Sequence, residues 1–75
     1  MTKVPSLDYK KIIKALERDG WIIDRQKGSH ISMKKYRNNR KFIVVVPAHK
    51  PVKRPILARI LKQARINLDK FLELL

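Results

Sequence analysis

Residues 42–46 read Phe-Ile-Val-Val-Val and stop at Pro47. Four consecutive β-branched residues after an aromatic one are crowded in a helix but fit a pleated strand, and proline cannot donate the next ladder hydrogen bond. Residues 42–46 are therefore predicted as a strand with apolar side chains on both faces. Such a strand must pair with neighbours and be covered on at least one side by other apolar segments. The chain has 75 residues to do this with and 44% of them are apolar, so one small domain spanning residues 1–75 is expected.

The covering segments show helical periodicity. Tyr9, Ile12, Ile13 and Leu16 follow i, i+3, i+4, i+7 spacing, with Ser6 as a candidate N-cap, Asp8 in the first turn and Gly20 at the end. A helix over about 6–19 is predicted. Pro55 suits the first turn of a second helix whose stripe is Ile56, Leu57, Ile60, Leu61 and Ala64. Asn67 caps a short last helix with Leu68, Phe71, Leu72 and Leu75 apolar. Between the two long helices the period falls to two. Trp21 to Lys27 alternates weakly, with Trp21, Ile23 and Arg25 on one face. Gly28-Ser29 is a tight turn, and His30 to Tyr36 alternates clearly, Ile31 and Met33 one way and His30, Ser32, Lys34 and Tyr36 the other. Arg37-Asn38-Asn39-Arg40 is a turn because asparagine tolerates positive φ, and a loop follows over 47–54. The predicted class is α+β in the order α-β-β-β-α with a short C-terminal helix. A three-stranded antiparallel sheet carries its helices on one face, the second strand is central and the third lies at an edge. That edge, Phe42 to Val46, needs a partner protein or a second copy of the chain to protect it.

Charge placement points to the partner. The chain has 19 Lys and Arg against 6 Asp and Glu, a net charge of +13. Every acid lies outside residues 25–68, a window with thirteen basic residues. Self-repulsion on that scale is relieved by a polyanion, and nucleic acid gains affinity from Lys and Arg through counterion release. A solvated surface or an acidic protein partner fits the same charge. The absence of cysteine excludes disulfides, Cys-ligated zinc and thiol nucleophiles. No apolar run is long enough to span a membrane and residues 1–20 have no signal-peptide core, so a cytoplasmic protein with no membrane partner is expected.

His30 is the candidate catalytic residue. On the open face it stands beside Ser32, Lys34 and Tyr36, with Arg25 and Lys27 across the turn at Gly28-Ser29. RNA cleavage by internal attack of a 2′-hydroxyl needs a base, an acid for the leaving 5′-oxygen and cations for the phosphorane charge. A histidine in a basic field supplies the first and the third. The acid stays open among Tyr36, His49, a lysine and water. A polar residue merely tolerated where turn meets strand is the plainer reading of His30. Arg25, Lys27, Lys34, Lys35, Tyr36 and Arg37 are the expected RNA contacts; with Arg40 and Lys41 the hairpin tip also reads as an ordinary solvated turn. Trp21 reads as core rather than as a stacking platform. His30 and His49 lack the carboxylates or further histidines a metal site wants, so no metal and no cofactor are expected.

Gly20-Trp21 at the end of the first helix, Arg25, and Gly28-Ser29-His30 resemble the HicA toxins of HicA–HicB toxin–antitoxin pairs. The similarity continues through Val46-Pro47-Ala48-His49-Lys50, Ile60-Leu61-Lys62-Gln63-Ala64 and Phe71-Leu72-Glu73-Leu74-Leu75. The resemblance implies a fold like that of double-stranded-RNA-binding domains and an mRNA endoribonuclease that needs no metal and slows translation. His30 matches the catalytic histidine, Gly28 and Ser29 match the turn that presents it, and a HicB-like antitoxin is the implied partner. Pro55-Ile56-Leu57 stands where the family usually has Gly-Thr-Leu, and Arg65 where a glycine commonly follows Gln-Ala. Two other functions fit the charge. A non-catalytic RNA-binding module would differ only in lacking turnover; a DNA-binding or ribosome-associated protein would leave Gly28-Ser29-His30 unexplained.

Overall fold

A computed structural model describes residues 6–75. The elements run α1 (Tyr9–Arg18), β1 (Ile22–Lys27), β2 (His30–Arg37), β3 (Arg40–Pro47), α2 (Arg54–Ala64) and α3 (Leu68–Leu74). The predicted α-β-β-β-α order and the α+β class hold. The strands form one antiparallel sheet in the order β1-β2-β3, with β2 central.

α1 starts later than its spacing suggests. Ser6 is not the cap; its hydroxyl donates to the Val52 carbonyl at 3.3 Å. Asp8 takes the N-cap and its carboxylate accepts from the Lys10 amide at 3.0 Å, which places a negative charge at the positive end of the helix. The helix ends in a Schellman motif. The Gly20 amide donates to the Glu17 carbonyl at 3.0 Å and the Trp21 amide to the Leu16 carbonyl at 3.0 Å, with Gly20 at φ +99°. Trp21 therefore belongs to the helix terminus rather than to β1. Its ring is buried, as read, against a core that includes Leu16.

β1 itself is exposed along its whole length. A register shift between Ile23 and Arg25, at Asp24, breaks the alternation that the sequence suggests. In β2, Ile31 and Met33 are buried and the intervening residues are not. The Asn38 and Asn39 φ angles of 52° and 65° are those of a two-residue type I′ hairpin, whose twist matches that of the flanking strands. β3 runs from Arg40 to Pro47 and is apolar on both faces, as expected, but only one face is covered. Val44 and Val46 are buried, whereas Ile43 and Val45 stay 43% and 38% exposed.

α1 and α2 pack on the Val44–Val46 side of the sheet. Leu57, Ile60, Leu61 and Ala64 of α2 are buried and Ile56 is half-buried. α3 has only 7 residues and relies on tertiary contacts. Phe71 is fully buried, a contribution of roughly 2–3 kcal/mol, Asn67 caps the Lys70 amide, and Arg18 donates to the Leu74 carbonyl. Leu74 packs on the core while Leu75, assigned to the apolar stripe, is exposed. The loop over 47–54 contributes one unforeseen core residue. Val52 is completely buried and bridges to Leu7 as a short antiparallel pair.

Candidate active site

The turn between β1 and β2 places its histidine. Gly28 has φ +59°, which a β-carbon disfavours, and nothing lies within 4 Å of where that carbon would be. Gln26 donates to the Gly28 carbonyl at 3.1 Å, and the Ser29 carbonyl accepts from the Ala48 amide at 2.7 Å. Gly28-Ser29 is thus tied to the segment that leaves β3. His30, the first residue of β2, is exposed and lies in register between Lys27 and Pro47.

Strand register sorts the expected RNA contacts by face. Lys27, His30 and Pro47 form one row across the sheet, and Arg25, Ser32 and Val45 form the next. Arg25 and Lys27 therefore share the open face with His30. Lys34 is on that face too, but its ammonium lies 3.3 Å from the Asp24 carboxylate. Tyr36 is exposed on the same face six residues along β2, roughly 20 Å from His30. Lys35 and Arg37 have the parity of Ile31 and Met33 and lie on the helix side. Lys35 donates to the Asp19 carboxylate at 3.1 Å, and the same oxygen accepts from the Trp21 indole at 3.3 Å. Arg37 lines a cleft there with Trp21, Phe42 and Arg65, whose guanidinium sits 5.0 Å over the Phe42 ring. The six residues do not form one patch.

On its other side His30 opens into a groove of about 280 Å³ between β3 and α2. Val45 and Pro47 form one wall, Ile56, Arg59, Ile60 and Gln63 the other, and His49 also lines it. Arg59 and Gln63 are additions to the site read from the sequence. Their helical spacing from Ile56, i+3 and i+7, marks them as one stripe, but only the packing of α2 beside β3 turns that stripe toward His30. Among the described residues no three His, Cys, Asp or Glu side chains converge as metal ligands.

The family model for the HicA toxin of bacterial toxin–antitoxin systems matches residues 9–66, from the start of α1 to just past α2. The chain belongs to the HicA toxin family. No curated protein matches it. As a HicA-family toxin the protein has an antitoxin as its cognate partner. The matched span contains Gly28-Ser29-His30 and the whole groove. Both departures noted in the sequence also fall within it. Pro55 lies in the first turn of α2, where no intrahelical donor is needed, Ile56 lines the groove and Leu57 is buried, so the unusual triplet is compatible with the helix start. Arg65 occupies the left-handed position of a second Schellman motif, at φ 58°, with the Ile66 amide donating to Leu61 and the Arg65 amide to Lys62. A glycine suits that conformation better, which gives a backbone reason for the family's preference. Among the described residues no helix is long and apolar enough to cross a membrane.

Proposed function

We propose that this HicA-family toxin is a metal-independent endoribonuclease that cleaves mRNA in the cytoplasm, as one domain, with His30 as general base. The observation that carries the reading is an exposed histidine, held by a tied-down turn between Lys27 and a groove with Arg59, in a member of a toxin family. The His30 imidazole takes the proton of a ribose 2′-hydroxyl as its oxygen attacks the adjacent phosphorus. The P–O5′ bond breaks, leaving a 2′,3′-cyclic phosphate and a 5′-hydroxyl. Arg25, Lys27 and Arg59 offset the negative charge that grows on the phosphorane. A HicB-like antitoxin silences the toxin by covering His30, and the exposed Val45, which shares the groove with His30, and Ile43 further along β3 offer it an apolar foothold.

The test is cleavage of RNA by purified protein in EDTA, wild type against His30→Ala. The variant is expected to lose at least about 100-fold in rate, as for removal of a general base. Its thermal melting should match wild type because the side chain is exposed. Equal cleavage by both removes His30 from the mechanism. Binding without cleavage by both would favour a non-catalytic RNA-binding module.

A further inference from the structure

The leaving 5′-oxygen needs a proton, and three kinds of side-chain donor were open on sequence grounds besides water. The structure separates the side chains. Tyr36 lies roughly 20 Å from His30 along β2, too far to reach the same phosphodiester. Lys27 is the cross-strand neighbour of His30 but does not line the groove. His49 does line it, together with His30 and Arg59.

The backbone accounts for this approach. His30 pairs with Pro47 across the sheet, and the Ala48 amide is bound to the Ser29 carbonyl at 2.7 Å. The His49 amide donates to the Pro47 carbonyl at 2.8 Å, so the chain turns tightly as it leaves β3, and the His49 carbonyl accepts from the Tyr9 amide at 3.2 Å. Two residues beyond a cross-strand pair, the Cα of His49 lies at most about 13 Å from that of His30. Two imidazoles extending into one groove from that separation can flank a single phosphodiester. The side chain of His49 is exposed and its backbone is held at both polar groups, so it has no evident role in holding the fold.

We propose that His49 is the second proton-transfer residue of the site, protonating the leaving 5′-oxygen while Arg59 holds the scissile phosphate between the two imidazoles. The proposal rests on the ribonuclease reading above. His30 accepts the 2′-hydroxyl proton, the 2′-oxygen–phosphorus bond forms, the phosphorus–5′-oxygen bond breaks, and the 5′-oxygen takes its proton from the imidazolium of His49. Each turnover leaves His30 protonated and His49 neutral, and exchange with water restores both.

A leaving group that needs no proton tests this. A bond that wild type cleaves is first mapped in a single-stranded oligoribonucleotide. The same oligonucleotide is then made with sulfur replacing the 5′-bridging oxygen at that bond. His49→Ala is expected to cleave the oxygen substrate about 100- to 10,000-fold more slowly than wild type, and the sulfur substrate within about tenfold of it. His30→Ala should be slow on both, and melting curves should show both variants folded. Equal slowing of His49→Ala on the two substrates, or none on either, overturns the assignment. So does finding the sulfur rescue at Lys27→Ala instead. If wild type cleaves and His30→Ala does not, while His49→Ala fails these criteria, the ribonuclease reading survives and only the role of His49 falls. A wild-type protein that cleaves no RNA at the mapping step overturns both.

Discussion

Arg65 holds a left-handed backbone at φ 58° where a glycine would be unstrained, and its guanidinium lies over the Phe42 ring. A β-carbon in that region costs about 1 kcal/mol, and the exposed Arg65 cation over the half-buried Phe42 ring returns about 0.5–1 kcal/mol. Arg65→Ala keeps the backbone cost and loses the ring contact, whereas Arg65→Gly loses both. Urea denaturation should therefore find the glycine variant more stable than the alanine variant by about 1 kcal/mol. An equal midpoint for the two would mean the terminus of α2 does not hold its left-handed residue in solution. Lys35, one of the expected RNA contacts, lies on the helix side of the sheet, away from the face of His30. Its parity with Ile31 and Met33 follows from strand period, whereas its partner Asp19 is sixteen residues away and enters only through the terminus of α1.

At the scale of elements, the hairpin joining β2 and β3 was the most legible piece. Asn38-Asn39 between two alternating segments encodes a turn, and both residues take positive φ. Glycine meets less steric resistance than asparagine at the second position, so Asn39→Gly is expected to raise stability by about 0.5 kcal/mol, read as a shift in the urea midpoint without a change in slope. A loss of stability would show that the Asn39 side chain contributes more than its backbone costs. β1 was the least legible. Its alternation is interrupted by the shift at Asp24, and the residue that looked like its first core position, Trp21, is captured by the Schellman motif of α1. A strand held by one neighbour and exposed on both faces leaves no hydrophobic pattern to read.

For the molecule as a whole, the sheet divides a net charge of +13 between unequal roles. Among the described residues Arg25 and Lys27, on the face of His30, make no ion pair, while Lys34 and Lys35 are each engaged by a carboxylate. Binding of a single-stranded RNA with a 2′-deoxy block at the cleaved bond should weaken linearly on a log–log plot against salt. Lys27→Ala should reduce that slope by about 0.7, the loss of one phosphate contact on a single strand. Lys35→Ala should change it by much less, since Asp19 already neutralises that ammonium. Equal changes for the two lysines would mean that RNA also engages the helix side of the sheet.

Local pattern along the chain is enough for the kinds of element, their order, the central place of β2 and the presentation of His30 on the open face. These follow from side-chain period and from turn residues, which act over a few positions along the chain. Long-range packing is what buries Val52 against Leu7, lets Asp19 capture Lys35, and brings His49 and Arg59 into one groove with His30. Those pairings join residues sixteen or more positions apart. Their geometry is set by strand register and by how α2 packs beside β3, and no local pattern records either.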